Sequence, residues 1–134
     1  HCDNDKLFDG IKELIQDLYA QGKTLAIATG KKRKGLERVL PNSGIEAFFT
    51  TTKTAYETAG KPNPLMLEQI LVETGTRIEN AVFIGDSIHD IRMANNINMD
   101  SIAVSYGCEK ADVLAKEQPT KLVTTINELK QQLI

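Results

Sequence analysis

Tryptophan is absent from these 134 residues, aromatics make up only 5%, and cysteine appears only as Cys2 and Cys108. Two cysteines so far apart, outside any C-x-x-C or zinc-ligand spacing, argue against a disulfide framework and a structural zinc site. No apolar run approaches the roughly 20 residues that cross a bilayer. No signal-peptide pattern opens the chain. An excess of one charge is missing too, since 16 Lys and Arg face 18 Asp and Glu for a net −2. That argues against a general nucleic-acid binder, whose footprint is strongly basic, and leaves Lys31-Lys32-Arg33-Lys34 as a local basic run. Repeats, low-complexity stretches and internal linkers are also lacking. What is present, 41% hydrophobic and 25% charged residues, is the balance of one globular domain over 1–134. We expect it in the cytoplasm. The first residue is His1 rather than Met, which suggests a chain that begins inside a longer product.

Phe8, Ile11, Leu14, Ile15 and Leu18 recur at helical spacing and predict a helix over about 9–21, stopped by Gly22. Residues 24–29 form a short apolar run ending at Gly30, the pattern of a buried parallel strand. Leu36, Val39 and Leu40 suggest a short helix closed by Pro41 and Gly44, followed by a strand at 47–51 and a loop over 53–62. Asn63 before Pro64 reads as a helix cap with proline at the first helical position. Leu65, Leu67, Ile70 and Leu71 give that helix its core face up to Gly75. Further strands are expected at 81–84, 101–105 and 121–124, and helices around Ile88 to Ala94, at 109–117 and at the C-terminus. This alternation predicts an α/β fold, a three-layer Rossmann-like parallel sheet with helices on both faces.

Ligands of such sheets gather at the carboxyl ends of the strands, where Thr29, Asp86 and Asp90 fall. Asp86 and Asp90 lie one helical turn apart, and two carboxylates that close repel unless a cation or a proton compensates them. A hard cation such as magnesium accepts one or two carboxylates plus waters and a phosphate oxygen. The simpler reading is that Asp86 and Ser87 cap the helix and Asp90 belongs to its acid-preferring first turn. Thr29 offers a hydroxyl, and the N–H groups of the Gly30 turn make an anion site, although a threonine at a strand end is commonly just a β-branched residue. Pro62 holds Lys61 extended, within reach of a phosphate, while most lysines are simply exposed. His89 reads as an exposed first-turn residue.

Two apparent motifs fail on inspection. Gly30 and Gly35 have the spacing of a P-loop, but Leu36 and Glu37 stand where Lys and Ser or Thr should follow. Asp3-Asn4-Asp5 has the form of a D-x-D pair, yet the two residues before it cannot make the strand such a pair needs.

Taken in order, Thr29 after an apolar strand, Lys61 in Gly-Lys-Pro-Asn-Pro, and Gly85-Asp86-Ser87-Ile88-His89-Asp90 resemble the second, third and fourth motifs of the haloacid dehalogenase-like hydrolases. Leu7-Phe8-Asp9-Gly10, Gly44-Ile45 before Phe48-Phe49, and Ala103-Val104-Ser105-Tyr106-Gly107 resemble the phosphoglycolate phosphatase-like subgroup. Asn98 stands where that subgroup usually carries Gly, a mild departure because Asn also tolerates the left-handed conformation.

The resemblance implies a magnesium-dependent phosphatase acting through an aspartyl-phosphate on a small phosphorylated metabolite, without nucleic acid or membrane. Thr29 and Lys61 would act on the phosphoryl group, with Gly30 beside them. Asp86 would ligate Mg2+, and Asp90 would hold a metal-bound water or Lys61. Such fixed charges carry much of phosphoryl-transfer catalysis. The family's first motif, D-x-D-G-T, and its cap are not found here. In the family that motif's strand lies between those ending at Thr29 and Asp86. We therefore expect the C-terminal part of a longer phosphatase, inactive alone, whose sheet is completed by a missing N-terminal segment or a second chain. Two alternatives stand beside it: a non-catalytic phosphate- and metal-binding module derived from that fold and, ranked last, a phospho-acceptor receiver, which would need an acidic pocket where Thr29 and Gly30 stand.

Overall fold

The computed structural model describes residues 10–29, 44–54, 63–105 and 109–133. Helix α1 (Ile11–Ala20) presents Leu14 and Leu18 to the core, as its periodicity predicts. Strand β1 (Leu25–Thr29) follows, then a 3-10 turn at Glu46–Phe48 leads into β2 (Phe49–Thr54), which runs parallel to β1 with Thr29 opposite Thr54. The second strand thus starts two residues later than its predicted 47–51 and extends to Thr54, so that Lys53 and Thr54, expected in a loop, are strand residues. The reason is local: three β-branched threonines favour extended backbone, Lys53 is tied to Glu73 by an ion pair, and Thr54 is fully buried.

Helix α2 (Leu65–Thr74) is capped by Asn63, whose Oδ1 accepts from the Leu65 N–H at 3.0 Å. Its inner face is Met66 and Leu67, whereas Leu65, expected in the core, is exposed. Met66 takes the inner position because it packs with Leu67, Met93, Ala94 and Met99, a space that an unbranched thioether fills readily.

The remainder alternates β3 (Val82–Gly85), α3 (Ile88–Asn95), β4 (Asp100–Val104), α4 (Ala111–Ala115), β5 (Lys121–Val123) and α5 (Ile126–Leu133). The helix predicted at 109–117 is shortened to Ala111–Ala115. Strands β3, β4 and β5 form a parallel sheet in that order. After α3 the chain turns through Asn98 at φ 58°, the left-handed conformation anticipated for it, and the Met99 N–H reaches the Ala94 carbonyl at 3.0 Å. The helix expected at 36–40, most of the loop 53–62 and the turn at Tyr106-Gly107 lie outside the described residues.

Three layers result. On one face of the strands, α1 and α5 bring Leu14, Leu18 and Leu129 against Ile102, Val104 and Val123. On the other, Met66 and Leu67 of α2 join Met93 and Ala94 of α3, and Leu114 of α4 meets Ile91 and Ala103. Among the described residues, the strands make two separate parallel ladders, β1-β2 and β3-β4-β5. Between β1 and β3 lies a cavity of about 540 Å³.

Two surface carboxylates make local ties on the helices. Arg92 on α3 donates to Glu117 from Nε at 2.8 Å and from Nη2 at 3.1 Å. Glu128 of α5 accepts from the Thr124 hydroxyl at 2.6 Å and its N–H at 3.1 Å. Arg92 holds Glu117 below its ordinary pKa of 4.5, and the Thr124 hydroxyl does the same for Glu128. A carboxyl whose folded pKa is depressed stabilises the fold above its unfolded pKa and loses that contribution as pH falls through the folded value. Urea midpoints should therefore stay level from pH 7 down to about 5 and fall below about pH 4.5. Glu117→Gln should make that acid decline shallower, and an unchanged slope would refute the contribution of this pair.

Candidate functional site

The turn after β3 is built around a close approach. A Cβ on Gly85 would lie 2.3 Å from the Asp90 Cβ and 2.8 Å from its Cγ and Oδ2, so only glycine fits here without displacement. The space it leaves lets Asp90 fold back over the start of its own helix. Asp90 Oδ2 accepts from the Asp86 N–H at 3.1 Å and from the Ser87 N–H at 3.3 Å, and Ser87 Oγ accepts from the Asp90 N–H at 3.2 Å. The last two bonds form a capping box. Asp90 is 4% exposed, and these bonds hold its Oδ2 in place. The helix macrodipole favours a negative charge there.

Asp86 is half-buried beside this turn, and its carbonyl accepts from the Glu109 N–H at 3.2 Å, tying the loops after β3 and β4 together. The helix begins only at Ile88, so Asp86 lies outside it, and the Asp90 carboxylate meets the Asp86 backbone N–H through the cap and not through the helical turn the spacing suggested; Asp90 has the capping role that belonged to the simpler reading of the sequence. A capping role and a place beside a cation are compatible, because the backbone bonds fix one carboxylate oxygen and hold the charge next to Asp86. His89 is exposed, as expected. Thr29 ends β1, part-buried and opposite the fully buried hydroxyl of Thr54, in the ladder across the cavity from β3. Gly30 and Lys61 lie outside the described residues.

The 540 Å³ cavity does not coincide with these groups: Thr29, Asp86 and Asp90 do not line it, and its walls are mostly apolar. It is therefore not the candidate catalytic pocket. Among the described residues, no cluster of three or more His, Cys, Asp or Glu side chains is placed to hold a metal ion. Sequence reasoning missed two residues of this neighbourhood. One is Gly85, named only within the fourth motif, whose close approach to Asp90 had no signal beyond a glycine between a buried strand and an acidic helix start. The other is Thr54, hidden by its placement in a loop. No helix among the described residues is long and apolar enough to cross a membrane.

Residues 1–104 match the haloacid dehalogenase-like hydrolase family. Pyrophosphatase PpaX of Halalkalibacterium halodurans is 29% identical over 133 residues, covering 96% of this chain and 62% of that protein. Tyrosine-protein kinase PtkA of Mycobacterium tuberculosis is 32% identical over 132 residues, with 96% and 45% covered. The crystal structure of a predicted phosphoglycolate phosphatase from Haemophilus somnus superimposes with a TM-score of 0.84 at 26% identity, covering 95% of this chain and 57% of that one. The chain thus spans about half to three fifths of the length of these relatives. With its parallel strands, the glycine-aspartate turn after β3 and a family match across most of its length, the chain belongs to the haloacid dehalogenase-like hydrolases.

Proposed function

We propose that these residues are the phosphate- and metal-binding part of a magnesium-dependent phosphomonoester hydrolase whose nucleophilic aspartate lies outside them. The observation that carries this reading is the turn after β3, where Gly85 makes room for a buried Asp90 carboxylate beside Asp86. Two carboxylates so close in the chain suit a hard cation, which takes one or two of them together with waters and a phosphate oxygen. Bound there, Mg2+ would supply charge neutralisation to the phosphoryl oxygens. Asp86 would ligate it, and Asp90 would hold the turn and add its fixed negative charge.

In this reading Thr29 would donate its hydroxyl to the phosphoryl group from the end of β1, with Gly30 the further phosphate-binding residue, and Lys61 would neutralise charge on the same group. Positioned charges of this kind suffice for much of phosphoryl-transfer catalysis, provided an acceptor stands in line. The substrate class is a small phosphorylated metabolite, and the expected compartment is the cytoplasm.

The separation of β1 from β3 favours a second reading, a non-catalytic module that binds phosphate and metal without turnover. One experiment decides between them. A longer product of the same gene should hydrolyse p-nitrophenyl phosphate with Mg2+, lose activity with EDTA, and lose about 100-fold or more in kcat on Asp86→Ala. The 134 residues alone should show no turnover. Turnover by the isolated chain would refute an external nucleophile. Magnesium-assisted phosphate binding without hydrolysis by the longer product would establish the second reading.

A further inference from the structure

Asp86 stands one residue past the end of β3, where the ladder between β3 and β4 stops at the Gly85 and Ala103 pair. Its peptide groups have left the sheet, and N–H and C=O groups drawn in from water need other partners. They find them on two different elements. The Asp86 N–H donates to Asp90 Oδ2 of α3 at 3.1 Å, and the Asp86 carbonyl accepts from the Glu109 N–H at 3.2 Å. Glu109 belongs to the segment that leads into α4, just before its cap residue Lys110.

The two elements that hold Asp86 are themselves locked together. Leu114 of α4 and Ile91 of α3 are fully buried and pack in one cluster with Ala103 of β4. Past the end of α4, the Glu117 carboxylate accepts from the Arg92 guanidinium, and the Glu117 carbonyl accepts from Asn95 Nδ2 at 2.7 Å. A closed frame results: α3 grips the N–H of Asp86, the lead-in of α4 grips its carbonyl, and further contacts fix α3 to α4. With both peptide groups held, the frame sets where the Asp86 Cβ stands. A ligand mounted in this way gives up little backbone freedom when a cation binds, and the partners that orient a ligand commonly govern its affinity.

We propose that Glu109 is a positioning residue that acts through its backbone N–H: by holding the Asp86 carbonyl it presets the Asp86 carboxylate for a divalent cation. Cation binding and the bond from Glu109 to Asp86 therefore strengthen each other. This rests on the reading of Asp86 as a Mg2+ ligand and adds to it a residue that acts through Asp86 rather than on the ion. Coupling of this kind is reciprocal, so the factor by which the bond improves Mg2+ affinity is the factor by which Mg2+ suppresses opening of the bond. A role in stability alone carries no such equality.

The test uses the 134-residue chain, with Mg2+ titrated against the backbone resonances of Ser87 and Asp90. Residues 1–107, as a thioester, are ligated at Cys108 to a synthetic peptide of residues 108–134 that carries the α-hydroxy acid analogue of glutamate at 109. The amide there becomes an ester, and only that N–H is removed. The dissociation constant for Mg2+ should rise about tenfold. In the parent, saturating Mg2+ should slow hydrogen exchange at the Glu109 amide by the same factor and leave the Leu129 amide of α5, bonded to the Thr125 carbonyl, unchanged. Glu109→Ala keeps the N–H and should bind Mg2+ within about twofold of the parent. Parental affinity in the ester, no slowing at the Glu109 amide, or an equal loss in Glu109→Ala would each overturn the proposal. The exchange measurement decides the matter even where the ester does not fold. Mg2+ binding that Asp86→Ala abolishes and the ester leaves intact sinks the role of Glu109 alone. A parent chain that binds no Mg2+ sinks the metal reading of Asp86 and this proposal with it.

Discussion

Gly85→Ala is expected to destabilise the chain by about 2–4 kcal/mol, the sum of overpacking and a disturbed helix cap. The added Cβ would fall 2.3 Å from the Asp90 Cβ, a contact that no side-chain rotation relieves because Cβ is fixed by the backbone. Either α3 moves away from β3 or the Asp90 carboxylate leaves the N–H groups of Asp86 and Ser87, and both disturb a helix that carries the buried Ile91, Met93 and Ala94. In calorimetry the melting temperature should fall by about 6–12 °C. Asp90→Gly removes the colliding atom, so the double variant should lose less than the two single variants added together. Strict additivity, or an alanine variant within about 0.5 kcal/mol of the parent, would refute the close approach as the reason for glycine.

Asp90→Ala removes a buried acceptor from two backbone N–H groups and half of the capping box. Bonds to a charged acceptor contribute more than neutral ones, and the orphaned N–H groups add a desolvation cost, so about 2–4 kcal/mol should be lost in urea denaturation. Asp90→Asn keeps an oxygen in place and should recover more than half of that stability. Its charge is gone, however, and magnesium affinity, measured by titration calorimetry, should stay weakened about tenfold or more. Recovery of both stability and magnesium affinity in the asparagine variant would restrict Asp90 to its capping role.

Much of this site was legible before the fold. The run of apolar residues before Gly85 marked β3, whereas the four-residue spacing of Asp86 and Asp90 suggested a shared helical turn that the extended Ser87 cap replaces with a carboxylate folded back onto the chain. Asn98 was readable as a left-handed residue through the resemblance, which puts a glycine at its place after the helix. What periodicity could not rank was Met66 against Leu65, since neighbouring apolar residues on a helix both satisfy the pattern, and the space left between α2 and α3 chooses between them. Nor could it see Thr54 as a strand residue, because threonine and lysine carry no hydrophobic signal, and the strand's length is decided by pairing with β1 and by the Lys53 and Glu73 ion pair.

The sequence by itself determined the α/β alternation, the strand ends that carry Thr29 and Asp86, and the family resemblance, all of them written in local order and spacing. Only the tertiary structure decided that Asp90 turns back onto the N–H groups of residues 86 and 87 through the space Gly85 leaves, and that, among the described residues, the strands form two ladders flanking an apolar cavity. Both depend on the distance between groups remote along the backbone or folded back on themselves, and a linear pattern holds no record of such distances until packing sets them.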